Sequence, residues 1–444
     1  MATTTTQGLP SPADAPPYPS PAAQPTQPGP EGIRFDFNEG ARVLLPERAS
    51  GTWRVRLSDL DTGNTLFESE NTGAAVLSSK RFYVRFHIEV EQIGADGTAT
   101  PVLSHTLDLH GRPVLIHFPV GTLGDILAWF PYAARFAAQH SCDLTCTMAE
   151  DLAAILRDAY PAIRFATPEQ AAEQGLAERA YATYCLGLFF DDAEHVHQPT
   201  DFRLVGLHRT AGYILGVDPA EEAPRLGLPN GGLPDEGPPI AEPYVCIAVQ
   251  ASTYCKTWSN PFGWREAIAF LRAQGYRVIC IDREAVHGTG LAWTHIPHGA
   301  EDETGPRPLA ERARWLRHAR AFIGTSSGLS WLAWAAGTPV VLISGFTHPA
   351  NEFATPYRVI NWHTCNSCWN DVRHRFDHKD FLWCPRHAGT ERQFECSRLI
   401  TASQVIATLA RIPGLVRDAS GPAAPSPRET RSAPPPVPAA GTTG

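Results

Sequence analysis

No stretch of this 444-residue chain approaches the ~18 consecutive apolar residues that a membrane-crossing helix needs, and the run 338–343 has only strand length. Residues 1–7 carry neither a positive n-region nor an apolar h-region, so no secretory signal is expected. Positive charge is not in excess: 37 Lys and Arg against 46 Asp and Glu give a net charge of −9. That balance, with a pI near 6.0, argues against a general nucleic-acid binder. These absences point to a soluble cytoplasmic protein with no membrane span and no nucleic-acid partner, whose thiols stay reduced. With 43% hydrophobic residues, the chain can fill the cores of roughly two to four domains.

What stands out is a set of four cysteines, Cys365, Cys368, Cys384 and Cys396. The surrounding segment is rich in His, Arg, Asp and Trp and poor in aliphatic residues, so it can build little core of its own. Such a segment needs a staple to hold one shape. Four thiolates around one ion would supply it, with the CxxC pair closing a tight corner. Two disulfides or scattered free thiols are the alternatives, and the spacing favours a metal. The other cysteines (Cys142, Cys146, Cys185, Cys246, Cys255 and Cys280) lie mostly in apolar runs and read as core residues.

Both ends are rich in proline, and residues 1–32 and 416–444 are expected to be disordered tails. Residues 33–112 read as a small antiparallel β domain. Trp53, Val55 and Leu57 alternate with polar residues, as do Phe82, Val84, Phe86, Ile88 and Val90, and turn sequences fall at 61–64 and 94–97.

At Pro113 the rhythm changes to α/β. A buried strand over 114–118 leads into Gly121, Thr122, Leu123, Gly124 and Asp125, then a helix over 126–139 that Pro131 kinks or restarts. By propensity alone Asp125 is an N-cap. From residue 244 strands and helices alternate, which implies a second parallel sheet. The two Rossmann-like halves, 113–240 and 241–415, would face each other across a cleft. A linker at 221–243 joins them, and the second half includes a metal finger at 362–398. Two loops at strand ends of the second half attract notice: 250–258, with Lys256, and Gly324 followed by Thr325, Ser326, Ser327 and Gly328. Small hydroxyl residues at a helix start make an anion site, and Lys256 is a candidate charge for the same diphosphate-like anion.

Residues 323–343 resemble the nucleotide-sugar segment of ADP-heptose glycosyltransferases of the twin-Rossmann (GT-B) kind. The run 345–358 and the four-cysteine segment resemble a narrower group, the bacterial autotransporter heptosyltransferases. The resemblance implies that heptose passes from ADP-heptose to serines of an autotransporter adhesin passenger domain in the cytoplasm, with inversion. It makes Asp125 the general base on the loop 121–125 and Lys256 the cation at the leaving diphosphate. Thr325, Ser326, Ser327 and Gly328 would hold phosphates, and Asn351 and Glu352 would contact sugar or ribose. It also implies a large homo-oligomer, and one iron ion held by the four cysteines.

General thiolate chemistry would name zinc instead, and with four protein ligands either ion is structural. Lipopolysaccharide heptosyltransferases have Asp-Thr-Gly and then a His in this segment. Here Ser326, Ser327 and Gly328 are followed by Trp331, which favours the protein-glycosylating group. A lipid-linked acceptor and a non-enzymatic metal-finger binding module remain the alternative functions. Trp362, Trp369, Phe376, Phe381 and Trp383 are expected either to shape an assembly surface or to pack back onto the second sheet.

Overall fold

The computed structural model describes residues 20–119, 122–227 and 237–416. The first half is built around an eight-stranded sheet. Its strands in chain order are β1 (Gln27–Pro28), β2 (Arg34–Asn38) and β3 (Arg42–Leu44) at one side. The chain then makes β4 (Thr52–Asp59), β5 (Asn64–Asn71), β6 (Ala75–Leu77), β7 (Phe86–Ile93) and β8 (Ala99–Thr106). The parallel part follows: β9 (Pro113–His117), β10 (Asp143–Thr147), β11 (Arg164–Ala166) and β12 (Ala182–Cys185). The sheet runs β11-β10-β9-β12-β2-β3-β6, with β1 paired to β2.

The segment 33–112 is therefore not one separate sheet. Strand β2 joins the parallel sheet through β12, while β5-β4-β7-β8 form their own four-stranded antiparallel sheet. The reason lies in burial. The apolar face of the four-stranded sheet (Trp53, Val55, Leu57, Ile88, Val90) is fully buried in the same core as Val114, Ile116 and Trp129. A sheet that small buries its face only against a neighbour. Part of the expected N-terminal tail, residues 20–32, belongs to the fold. Residues 20–32 are held to the sheet, with Gln27 opposite Phe35 and the Thr26 N–H donating to Asp36 at 2.9 Å. Asp36 is completely buried and paired with Arg42, so the tail satisfies a charge the core cannot leave alone. The tails at 1–19 and 417–444 lie outside the described residues.

Helix Leu123–His140 runs unbroken, with Pro131 inside it. Its N-cap is Thr122, which places Asp125 in the first turn rather than at the cap.

The second half is a six-stranded parallel sheet, ordered β17-β14-β13-β18-β19-β20. Its strands are β13 (Tyr244–Ile247), β14 (Arg277–Cys280), β17 (Glu301–Asp302), β18 (Phe322–Thr325), β19 (Val340–Ile343) and β20 (Arg358–Val359). Between β14 and β17 a two-stranded hairpin, β15 (Val286–Thr289) and β16 (Ala292–His295), raises Leu291 fully into solvent. Tyr244, Phe322, Trp331 and Phe353 share one apolar cluster with the first half, so the two halves bury surface against each other.

After β20 the finger carries only short turns, among them Cys368–Asn370 and Glu395–Arg398. It hangs from the loop after β19, where Ser367 N–H donates to the Gly345 carbonyl at 2.8 Å and Trp369 N–H to that of Phe346 at 3.1 Å. A Cβ on Gly345 would sit 2.5 Å from the Cys396 carbonyl oxygen, so only glycine lets the loop lie this close. Trp369, Phe376 and Trp383 do not form an outward surface. They are buried with Phe346 of the second half and Phe202 of the first, so the finger closes over both halves. Trp362 alone of the five aromatics is largely exposed, at 57%.

Candidate active site

A cavity of about 340 Å³ opens where the two halves meet. The first half contributes Thr122, Leu123, Gly124 and Asp125 from the start of helix Leu123–His140, with Leu188 and Leu207. The second half contributes Ser252 and Lys256 from the loop after β13, Ser326, Ser327 and Gly328 after β18, and Phe346, Thr347, Asn351 and Glu352 after β19. All three loops leave carboxyl ends of parallel strands, where open α/β sheets bind ligands. Trp369 and His378 of the finger complete the wall.

The halves meet through two glycines. A Cβ on Gly124 would lie 3.0 Å from Trp331 and 3.6 Å from the Gly328 Cα. One on Gly328 would lie 2.9 Å from the Leu123 Cβ. Their bare backbones let helix Leu123–His140 and helix Gly328–Ala335 approach end to end across the cleft.

Asp125 is 8% exposed, and its carboxylate accepts a short hydrogen bond from the Thr122 hydroxyl. Burial pushes its pKa up to about 6, against the lowering pull of Thr122 and the Lys256 charge. Such a carboxylate is a better proton acceptor than a solvated aspartate yet still ionised near neutrality. Lys256 faces the cavity with Ser252 Oγ 3.3 Å away. Burial lowers its pKa, while Cys255, Asp125 and Glu352 work the other way.

Ser326 Oγ lies 2.7 Å from Thr347 Oγ1. Ser327 Oγ is buried with no hydrogen-bond partner, a donor and acceptor left for something in the cavity. Thr325 departs from expectation. It is completely buried in β18 and does not line the cavity, because the strand alternation turns its side chain inward. Asn351 and Glu352 line the cavity but are also structurally engaged. Asn351 Oδ1 accepts from Trp369 Nε1 and Asn370 Nδ2, each at 3.1 Å, and Glu352 pairs with Arg358 at 2.6 Å. Gly121 lies outside the described residues.

Sequence reading missed Thr347, Phe346, Trp369 and His378. Phe346 and Thr347 fall in the run 345–358 and Trp369 among the finger's aromatics, but only long-range contacts bring them into the cavity wall. Ser252 stood within the loop already singled out at 250–258. A neighbouring cavity of about 590 Å³ shares Thr122 and Leu123 and is lined by Ile281, Arg283, Pro306, Leu309 and Leu329.

In the finger all four cysteines are free of disulfides. Burial, together with nearby Cys368, Glu395 and Cys384, pushes the Cys365 thiol up to about 12, and burial does most to push Cys368 up to about 11. Cys396 is raised too, by burial and then by Cys365 and Cys368. Thiols that resist ionisation partly because of one another's charge fit a site that a cation completes. Cys365, His387 and Glu395 also bring ligand atoms within 4.8 Å of one another. The Glu395 carboxylate accepts the Cys365 N–H at 3.0 Å, as outer-shell partners of a metal commonly do. Cys255 is a buried core thiol, as expected. It is buried in the finger's own apolar cluster, beside Cys368 and Trp369.

Among the described residues no helix is long and apolar enough to cross a membrane. Residues 29–94 match the family "Glycosyltransferase TibC, N-terminal domain", and residues 175–375 match glycosyltransferase family 9 (heptosyltransferase). The chain is 55% identical over 384 residues to the autotransporter heptosyltransferase BAHTCr of Citrobacter rodentium, covering 86% of this chain and 90% of that one. The crystal structure of the dodecameric iron-containing heptosyltransferase TibC in complex with ADP-D-β-D-heptose superposes with a TM-score of 0.81 at 53% identity. It covers 88% of this chain and 98% of that one. A relative from Burkholderia thailandensis described as inactive, BimC, is 48% identical over 414 residues, 93% of this chain and 91% of its own. At these identities and coverages, the chain belongs to the autotransporter heptosyltransferases of glycosyltransferase family 9.

Proposed function

We propose that this protein transfers heptose from ADP-heptose to serine hydroxyls of an autotransporter adhesin passenger domain, with inversion, in the cytoplasm. The observation that carries the reading is the convergence of Asp125 from one half with Lys256 and the Ser326–Gly328 turn from the other on a single cavity. The serine oxygen attacks the anomeric carbon, the bond from that carbon to the diphosphate oxygen breaks, and Asp125 takes the serine proton. Negative charge grows on the departing ADP, where Lys256, the Ser327 hydroxyl and the first N–H groups of helix Gly328–Ala335 receive it. The adjoining cavity, with Ile281, Leu309 and Leu329 beside Arg283, suits the adenosine end of the same donor. No metal ion is required at the sugar.

The finger holds one iron ion through Cys365, Cys368, Cys384 and Cys396, in keeping with the iron-containing relative. When bound it supplies structural cross-linking only, since four protein ligands leave no open position. As in the dodecameric relative, the chain assembles into a large homo-oligomer.

A second reading, a non-enzymatic adhesin-binding protein, is favoured by the likeness to the inactive BimC. The two separate in one experiment. The purified protein is incubated with ADP-heptose and a serine-rich passenger fragment and read by intact mass. Additions in steps of one heptose, abolished by Asp125→Asn, are expected. No addition with either heptose epimer, while the fragment still binds, would replace transfer by the binding role. Transfer that survives Asp125→Asn would remove the base assignment.

A further inference from the structure

Lys256 reaches the cavity past three aromatic rings. Its Nζ lies 5.2 Å from the ring centroid of Phe346, 5.6 Å from that of Phe376 and 5.7 Å from that of Trp369. Phe346 follows β19, whereas Phe376 and Trp369 belong to the finger. The rings brace one another nearly edge to face: Trp369 and Phe376 are 5.2 Å apart at 69°, and Phe346 and Phe376 are 5.4 Å apart at 66°. An ammonium within about 6 Å of a ring face is stabilised by the ring quadrupole, and the effect grows as water is excluded.

The main chain carrying the lysine is fastened to the finger as well. Tyr254 N–H donates to the Phe381 carbonyl at 2.9 Å, and the Tyr254 ring packs on Phe394 at 5.2 Å. Cys255, between that tyrosine and the lysine, is buried in the finger's apolar cluster. The lysine is therefore held from both sides, its stem by the turn Tyr254–Lys256 and its head by the rings.

We propose that Phe376 and Trp369 of the finger, with Phe346, are positioning residues that cage the Lys256 ammonium and aim it at the donor diphosphate. This rests on the reading of Lys256 as the diphosphate cation. It gives the finger a task in the reaction that needs no contact between its metal and the substrate. A caged ammonium is also kept from collapsing onto Asp125 and Glu352, the carboxylates within its electrostatic reach. Such a pairing would occupy the oxygens that Asp125 needs for the serine proton.

The test is a double-mutant cycle between residues 376 and 256, read by ADP binding in calorimetry and by kcat and KM for ADP-heptose. Phe376→Leu keeps apolar bulk and loses the quadrupole. It is expected to weaken ADP binding and lower kcat by about three- to tenfold each, with metal content unchanged. Phe376→Tyr, which keeps a ring, should recover most of that loss. In a Lys256→Ala background Phe376→Leu should add nothing further to the loss of ADP binding. An equal loss with and without Lys256, or a Phe376→Leu protein that behaves as wild type while Lys256→Ala is defective, overturns the cage alone. ADP binding undiminished by Lys256→Ala overturns the diphosphate reading and the cage with it. Should Phe376→Leu lose metal, the same cycle is run with Phe346→Leu and Phe346→Tyr, which lie outside the finger.

Discussion

Replacing Thr122 by Val tests the chemistry assigned to Asp125 through a single hydrogen bond. The Thr122 side chain makes no capping bond to the helix, and its extended backbone suits a β-branched residue, so the substitution leaves the fold intact. What it removes is the hydroxyl that donates to the Asp125 carboxylate. Burial lifts that carboxyl from 3.8 to about 6, which corresponds to about 3 kcal/mol against ionisation. Hydrogen bonds to charged groups are worth about 1.5–3 kcal/mol, so losing this one should raise the pKa by a further unit or more.

The base must be ionised, so activity rises with pH through the carboxyl's pKa. In the wild type kcat/KM for heptose transfer should climb with an apparent pKa near 6, and in Thr122→Val with one near 7. At pH 5 the variant should then be roughly tenfold slower than wild type, and at pH 8 nearly equal. A stability assay checks the same group with the opposite sign. The folded pKa is raised, so the protonated carboxyl is the form the fold prefers. Its contribution is fully present below about pH 4 and is lost as pH rises through about 6. Asp125→Asn should therefore unfold at higher temperature than wild type at pH 7.5, and that advantage should vanish near pH 4. An acid limb below about 4.5 in the wild type, or one that Thr122→Val does not move, would refute the desolvated-base argument.

Gly328→Ala would place a Cβ 2.9 Å from the Leu123 Cβ and 3.3 Å from the Gly124 nitrogen, wedging the two halves apart. Transfer should fall by about 10²-fold with little change in melting temperature, because about 1 Å of misplacement suffices for such a loss. Activity within twofold of wild type would show that the close approach is not needed. Cys384→Ser, or chelation of the native protein, should strip the metal. It should also release the buried Trp369 and Trp383, read as a red-shifted tryptophan emission and a lower melting temperature. Full metal content with unchanged emission in Cys384→Ser would remove that residue from the ligand set.

Much of the second half was legible because each β-α unit is local. The alternation of strands and helices expected from residue 244 is found, with parallel strands beginning at 244, 277, 322 and 340, since short apolar runs fix them without outside help. The family was legible for a similar reason: the segment 323–343 and the four cysteines are short and specific. The β region was read less well. Alternation shows that one face of β4 and β7 is buried, but not that its cover is the core of the parallel sheet or that β2 leaves to join β12. Residues 20–32 were assigned to a tail because their composition resembles a linker. What orders them is the buried Asp36–Arg42 pair, a contact composition does not encode.

Sequence by itself thus determined the alternation of strands and helices in the second half, the metal-ligand candidates and Lys256, all from side-chain chemistry and near-neighbour spacing. Asp125, an N-cap by propensity, stood out only through the family resemblance. Only the tertiary structure decided that Thr325 turns inward and that Asn351 is tied to the finger. It also decided that Trp369 and Phe376 of the finger face Lys256 rather than solvent. Each of those outcomes depends on which surfaces come together once the halves close, and burial against a distant partner has no signature in local sequence.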